Sequence, residues 1–424
     1  MIPMHARKLS APAIFLVAAM LGSTAHAAAD EVAELRAAVA AMQERIAQLE
    51  TQAKAVEETN DRQADQIAVV RSNVGSWVPN FTFKGDFRYR NETIDQQYLP
   101  ERNRDRIRVR AGFVARVNDT VRTEFALATS EGNDPRSSNQ TLTGENTRKN
   151  VFIDLAYVEW QALPQLKLTA GKMKYPWLRP GSSVLFDGDV NIEGVAVNWS
   201  RGGLFASAFY NHLEERGAAG ESSMGGGQLG WRSALGTGQL TLAAGLFDFN
   251  SVRRRNPFFN ASSNGNTTTT IGCIGGAASC LAYDYNLLEG MAEYTRPVAG
   301  RPLTLFADYI TNDAAGNGLD TALSAGFSWG RAADPHTWEV GYYYQRAEKD
   351  AVFGQFIDSD LGGGNTDYGG HVIRAGYAIA KNWTANLTWH VGQTNRDAPA
   401  TVPGIGAVSD RDYKRLQLDL NFKY

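Results

Sequence analysis

Cysteine is nearly absent from this chain. Of 424 residues only Cys273 and Cys280 are cysteines, which excludes a disulfide-scaffolded fold and a thiolate zinc site. The two lie close together in a Gly/Ser/Thr-rich stretch, so they are expected to staple a loop rather than bind metal. Histidine is also scarce, and His212, His336, His371 and His390 show no ligand spacing. H-E-x-x-H does not occur, so the zinc-metalloprotease signature is missing, and no cofactor is implied. Positive charge is not in excess: Lys and Arg total 42 against 45 Asp and Glu, a formal net charge of −3, which argues against a nucleic-acid partner. Beyond the N-terminal leader no run of about 18 apolar residues remains, so no transmembrane helix is expected. That absence leaves one kind of membrane protein open. A transmembrane β-barrel hides its apolar residues on alternate positions and reads as polar overall.

What the chain does contain begins with an address. Arg7 and Lys8 precede an apolar run, Ala11 to Leu21, followed by Ala25-His26-Ala27. This is a secretory signal peptide, residues 1–27, ending in a small-residue cleavage site. Its removal takes two cations and moves the formal charge from −3 to −5. Residues 28–74 then have helical periodicity. Val32, Leu35, Val39, Met42, Ile46, Leu49, Ala53, Val56, Asn60, Gln63, Ile67 and Val70 recur at spacings of three and four, the seam of a coiled coil with Asn60 as a register-setting amide. A coiled coil requires partners, so an oligomer is expected.

From Gly75 and Pro79 onward the period changes to two. Between Arg106 and Arg110 every even residue is arginine, and from Ile107 to Val117 every odd residue is apolar. A strand with that pattern has one cationic and one greasy face, whereas a helix would scatter both sets round its axis. Sixteen candidate strands of this kind run from Asn80 to Tyr424. Short turns, such as Asn118-Asp119 and Leu163-Pro164, alternate with longer polar loops near 94–103, 132–147, 176–189, 215–224, 251–283, 314–318, 349–366 and 397–409. Short turns at one end and long loops at the other predict an outer-membrane barrel spanning 75–424. Trp160, Trp199, Trp329, Trp338 and Trp383 all fall near short turns, the level of an interfacial aromatic girdle. Strands four, six and seven do not phase cleanly. The last strand alternates Leu416, Leu418, Leu420, Phe422 and Tyr424 with polar residues, and Leu420, Phe422 and Tyr424 form its barrel-closure signal.

A leader, a coiled coil, sixteen strands and the terminal Leu-Gln-Leu-Asp-Leu-Asn-Phe-Lys-Tyr together resemble the outer-membrane porins of Gram-negative bacteria, with the phosphate-selective porins as neighbours. The fold class implied is all-β, a sixteen-stranded antiparallel transmembrane β-barrel preceded by an α-helical coiled coil in the periplasm. The resemblance also implies a homotrimer in outer-membrane lipid that passes small hydrophilic solutes, with the third long loop folded into a water-filled bore. The coiled coil would then be placed to reach the peptidoglycan layer.

Parity assigns the inward positions. Lys84, Arg88 and Arg90 of the first strand, Arg106, Arg108, Arg110 and Arg116 of the second, Arg122 of the third, and Arg411 and Arg415 of the last would form one cationic wall. Arginine keeps its charge and its fork suits carboxylate and phosphate, so an anion-leaning pore is expected. Asp187 and Asp189 of the third long loop would oppose this wall across a constriction. Other signals point less far. Gly225, Gly227 and Gly230 match G-x-G-x-x-G without the βαβ unit a nucleotide site needs. Asp358, Asp360 and Asp367 sit in a Gly-rich loop that reads as solvated and extracellular rather than as a Ca²⁺ site. A barrel-anchored tether or adhesin is the reading from another class.

Overall fold

The computed structural model describes residues 27–73, 80–217, 220–258 and 262–424, with side chains of the leading helix from 36 to 65. The signal peptide expected over 1–27 lies outside the described residues except for Ala27, as does the Gly75–Pro79 transition. The chain divides into two units, Met1–Val78 and Pro79–Tyr424.

The described residues of the first unit form one helix, Ala27–Asn73, of 47 residues, which at 1.5 Å per residue is about 70 Å long. Its seam residues Val39, Met42, Ile46, Leu49 and Val56 are all exposed. Among the described residues no helix is long and apolar enough to cross a membrane.

The second unit is a closed antiparallel barrel. Its strands are β1 (Phe81–Gln96), β2 (Arg102–Arg116), β3 (Val121–Thr129), β4 (Val151–Leu163), β5 (Leu166–Met173), β6 (Ile192–Arg201), β7 (Leu204–Glu214) and β8 (Ser222–Leu235). The wall continues with β9 (Gly238–Asn250), β10 (Tyr285–Val298), β11 (Arg301–Asn312), β12 (Thr321–Gly330), β13 (Trp338–Ala347), β14 (Tyr368–Ala380), β15 (Trp383–Thr394) and β16 (Arg411–Lys423). These sixteen match the sixteen expected from the sequence, and a two-residue bridge, Gln140–Thr141, adds beside β2. Closure is made by β16 pairing with β1, with Tyr89 opposite Leu420 and Phe87 opposite Phe422. The closure satisfies the backbone groups of both edge strands, as a hydrocarbon surround requires.

Alternation is clearest in β16. Arg411, Tyr413, Arg415, Gln417 and Asp419 are buried, while Leu416, Leu418, Leu420 and Phe422 are exposed on the outer face. Outward rings meet near the short turns: Phe113 with Phe81 and Phe125, Trp329 with Trp338, and Trp383 stacked on Phe422. Rings at that level fit the aromatic girdle of a barrel.

The strands that resist phasing do so for identifiable reasons. In β4 the pairing slips, with Ala126 opposite Leu155 but Leu127 opposite Ile153. Asp154 is the extra residue of this β-bulge, which turns its side chain toward the lumen. In β6 and β7 several inward positions are themselves apolar, and Ile192, Ala196 and Phe209 are buried in a cluster inside the barrel.

That cluster corrects the expectation of a bore filled with water along its length. Its members include Trp177, Val184, Leu185 and Phe186 of the third long loop, and Val352, Phe353, Phe356 and Ile357 of the seventh. They pack on inward side chains of the wall, among them Phe247, Phe249, Leu287 and Ile310. Glycine makes room for them: a Cβ on Gly230 would lie 2.1 Å from the Phe205 ring, and one on Gly226 2.9 Å from Phe209. Of the three glycines in the G-x-G-x-x-G match, Gly230 is the one whose missing side chain leaves room for a ring. The disulfide Cys273–Cys280 closes a small turn within the 251–284 loop.

Candidate functional site

The wall made by β16, β1, β2 and β3 carries the arginines that parity placed inward, and they are not bare. Arg108 pairs with Asp86 at 2.7 Å, Lys84 with Glu124 at 2.6 Å, and Arg122 with Glu159 at 2.7 Å. Arg90 grips Asp419 with two bonds of 2.7 and 2.8 Å, and Arg415 holds Glu92 at 2.5 Å across the same seam. Glu92 has no exposed surface and also accepts from Arg104, with Arg106 at 3.5 Å. Arg88 donates to Asn139 at 2.6 Å and stands 4.0 Å from Asp419. Two expected wall residues fall at the ends. Arg116 pairs with Asp119 at an exposed turn, and Arg411 donates to the Gln97 carbonyl at 2.9 Å. The wall is thus a ladder of neutralised pairs rather than a continuous cationic strip.

Glu92 and Asp419 share the inward parity of Arg88, Arg90 and Arg415, so alternation alone could have found them. A buried pair that loses one partner costs about 3–5 kcal/mol, because the remaining charge has no compensation. Glu92→Gln is therefore expected to lower sharply the temperature at which the detergent-solubilised barrel unfolds. Circular dichroism or the heat-dependent gel shift would measure it.

Two loops descend into the lumen. In the third, 174–191, Asp189 touches the wall directly: it accepts from Arg110 at 2.5 Å, and from the amide and hydroxyl of Ser138 at 3.0 and 2.7 Å. Asp187 does not face the arginines. It accepts from the Ser359 amide at 2.7 Å and the Asp189 amide at 2.8 Å, joining the third loop to the seventh. The expected opposition across an open gap is therefore replaced, for Asp189, by contact. The seventh loop, 348–367, which the sequence suggested was solvated, is largely buried, and its Asp360 reaches Arg90 at 3.0 Å and Arg415 at 2.8 Å.

The loop acids fall into two classes. Burial, with Asp358 and Asp189 nearby, pushes Asp187 well above the usual carboxylate range, and burial next to Asp360 raises Asp358. Burial opposes ionisation of Asp189 and Asp360 too, but Arg110 and Arg108 for the first, and Arg415 and Arg90 for the second, hold both below that range. A raised group adds stability that is present at low pH and lost as pH climbs through its folded-state value. A depressed group adds stability that is lost only as pH falls through its own low value. The docked loops should therefore loosen on the alkaline side first. Single-channel conductance is expected to rise with pH in the wild type and to rise less in Asp358→Asn.

Below the third loop, toward the short turns, lies a cavity of about 610 Å³. Arg122, Lys167, Lys174 and Arg232 line it against one carboxylate, Glu159. Glu159 is shared by Arg122 and by Lys167 at 3.0 Å. Among the described residues no carboxylate lies within 4.0 Å of Lys174 or Arg232. Sequence reasoning missed both: Lys174 lies one residue past β5, and Arg232 is the lone inward cation of β8. On the loop side, a second cavity of about 660 Å³ is lined by Ser138, Asp154, Asp189 and Asn191, among others.

No curated protein matches the chain. Among solved structures, that of Pseudomonas putida OprB at high pH superposes with a TM-score of 0.54 at 11% identity, covering 81% of this chain and 94% of that one. The trimer form of Vibrio cholerae OmpT gives 0.47 at 12% identity, covering 81% and 99%. A doubly substituted mutant of Rh. blastica porin gives 0.45 at 11% identity, covering 81% and 100%. A family model described as "Putative porin" matches residues 96–273 and 268–406, most of the barrel. The chain belongs to that porin family, and its sixteen strands form the wall of an outer-membrane channel.

Proposed function

We propose that this porin is a passive diffusion channel for small hydrophilic solutes with a preference for anions. The observation that carries the reading is the charge balance of the lower cavity, where four basic side chains face a single carboxylate. Low-dielectric walls focus such a field and raise the local anion concentration. The upper ladder contributes less, since its pairs largely cancel. The measurement that tests this is the reversal potential of the purified protein in a planar bilayer under a KCl gradient. A chloride-selective sign is expected, and a clear cation preference would refute the reading.

A substrate-selective anion channel, for phosphate or an organic acid, is favoured by one further feature. The Nε–H groups of Arg88 and Arg106 are buried with no hydrogen-bond partner, and that of Arg110 stands 3.9 Å from Asp154 without bonding it, so the wall keeps donors suited to an oxyanion. Saturation of conductance at millimolar anion would support this version over simple diffusion.

The exposed seam of the helix supports a homotrimer joined through a periplasmic coiled coil, since such a seam is stable only when covered. In that arrangement residues 28–74 reach toward the peptidoglycan and residues 75–424 form the barrel in outer-membrane lipid. Were the protein only a tether, deleting the helix would abolish its role while leaving conductance incidental. As a channel it keeps its conductance without the helix.

A further inference from the structure

The seventh loop inserts a carboxylate between two arginines of the closing seam. One oxygen of Asp360 accepts from Arg90 at 3.0 Å, and the other lies 2.8 Å from Arg415. Each arginine also has a wall partner that does not depend on the loop. Arg90 gives two bonds to Asp419, and Arg415 gives two to Glu92. The side chains of Arg90 and Arg415 are 6% and 2% exposed, whereas that of Asp360 is 22% exposed, so the carboxylate is the member of the trio open to water. His390 of β15 stands directly across from Arg415, buried, with neither ring nitrogen hydrogen-bonded. The wall thus holds a complete oxyanion site, filled at present by a tethered acid.

That acid leaves the seam short of negative charge. Among the described residues, the carboxylates within 4.0 Å of Arg88, Arg90, Arg104, Arg106 and Arg415 are Glu92, Asp419, Asp360 and, at 3.9 Å from Arg106, Glu131. With Asp360 in place one positive charge is unmatched, and without it two are. Guanidinium does not shed its proton, so this surplus draws anions from the bore. The chain around Asp360 permits an exchange. Gly362, Gly363 and Gly364 follow at φ of 53°, 72° and 79°, a run that rotates at little steric cost. Upstream, Val352, Phe353, Phe356 and Ile357 stay packed in the apolar cluster. The turn at 358–364 can therefore lift by itself, and Leu361 is the one large apolar side chain it would uncover.

We propose that Arg90 and Arg415 form a binding site for a small dicarboxylate, which displaces Asp360, lifts the turn at 358–364 and widens the bore. Asp360 is then an internal stand-in that keeps the channel narrow until its solute arrives. The class follows from the present occupant and from the charge. The site already takes a carboxylate, one oxygen to each guanidinium, and a dianion in that place would match both unpaired cations. The inference rests on the anion-channel reading only in that the solute must enter the bore. The site itself lies on the ladder, apart from the lower cavity.

The test is single-channel conductance of the full-length protein in a fixed KCl background, with succinate, acetate or phosphate added. A tethered competitor acts at an effective concentration on the order of millimolar, so succinate should open the channel at roughly 1–50 mM, with acetate weaker. The expected rise in conductance is on the order of twofold. Asp360→Asn removes the competitor and leaves both guanidiniums. It should raise conductance in KCl alone and lower the half-saturating succinate, measured by calorimetry in detergent, roughly tenfold. A merely structural Asp360 would leave that binding unchanged or weaken it. A gel shift checks that the variant is folded, and the wild-type titration stands without it. Wild-type conductance indifferent to succinate overturns the proposal, as does a fall in conductance, the mark of a blocker lodged in the lower cavity. Opening by phosphate but not by succinate, or binding that Asp360→Asn fails to tighten, also overturns it. A cation-preferring reversal potential with the succinate response intact would remove the anion-channel reading and keep this site; anion preference without the response would do the opposite.

Discussion

Excising residues 351–366 and joining Asp350 to Asp367 through a short Gly-Ser linker is expected to open the channel. The excised segment contributes Val352, Phe353, Phe356 and Ile357 to the apolar cluster that fills the lumen. A sixteen-stranded wall encloses an aqueous channel when nothing packs inside it, so single-channel conductance should rise on the order of threefold. The cut is placed between two anchors that survive it. Asp350 accepts from Thr267 and Asn317, and Asp367 from the amides of Asp397 and Ala398. The wall also survives, because Arg90 keeps Asp419 and Arg415 keeps Glu92 when Asp360 is removed. A milder variant, Phe353→Asp with Phe356→Asp, should act in the same direction, since carboxylates cannot remain ionised among packed rings. A folded variant whose conductance is unchanged would show that solutes pass by a route the seventh loop does not obstruct.

Reversing two charges in the lower cavity is expected to reverse ion preference. Lys174→Glu with Arg232→Glu changes the cavity by four unit charges, in a chamber where Glu159 is otherwise the one lining acid. At about 10 Å in water each unit is worth roughly 0.4 kcal/mol to a passing ion. Four together are worth about 1.7 kcal/mol, against chloride and in favour of potassium, so the chloride-to-potassium permeability ratio should change on the order of a hundredfold at low salt. At 0.1 M the Debye length is about 10 Å, so the effect should shrink to a few-fold. Reversal potentials at two ionic strengths would measure both numbers. Arg108→Ala should shift selectivity much less, because it leaves Asp86 without its partner and exchanges one neutral pair for one acid. If Arg108→Ala moved the reversal potential more than the double variant, the selectivity filter would have to be sought in the ladder.

The wall of this barrel was legible in the sequence because its outer face obeys one rule. Lipid demands an apolar residue at every second position, and Leu416, Leu418, Leu420 and Phe422 or Leu240, Leu242 and Leu246 answer that demand regardless of what lies inside. The lumen has no such uniform requirement. Phe205 and Phe209 of β7 point inward, and their apolar character blurred the period on that strand. The seventh loop had a signal of its own. Ala351-Val352-Phe353 and Phe356-Ile357 are more apolar than a solvated loop needs, although Gly and Asp around them suggested water. Parity identified the ladder arginines and extends to their strand partners Glu92 and Asp419, but not to the partners supplied by loops. Asp360 lies 270 residues from Arg90, a proximity no local pattern encodes. Asp154 was hidden differently, by a bulge that moves one residue out of phase.

The seam between β1 and β16 bears on how such a chain reaches its final form. Arg90 of the first strand is answered by Asp419 of the last, and Glu92 of the first by Arg415 of the last. Until the C-terminal strand arrives, Arg90 lacks its two-bond partner Asp419, and Glu92 has only Arg104 and Arg106 of β2. Were β15 to zip onto β1 early, it would offer them Asn386, Thr388 and His390 from its inward face instead of matched charges. Reciprocal pairing across the seam thus penalises a fifteen-stranded cylinder and rewards the sixteen-stranded one, so the ladder acts as a check on assembly order as well as a lining for solutes.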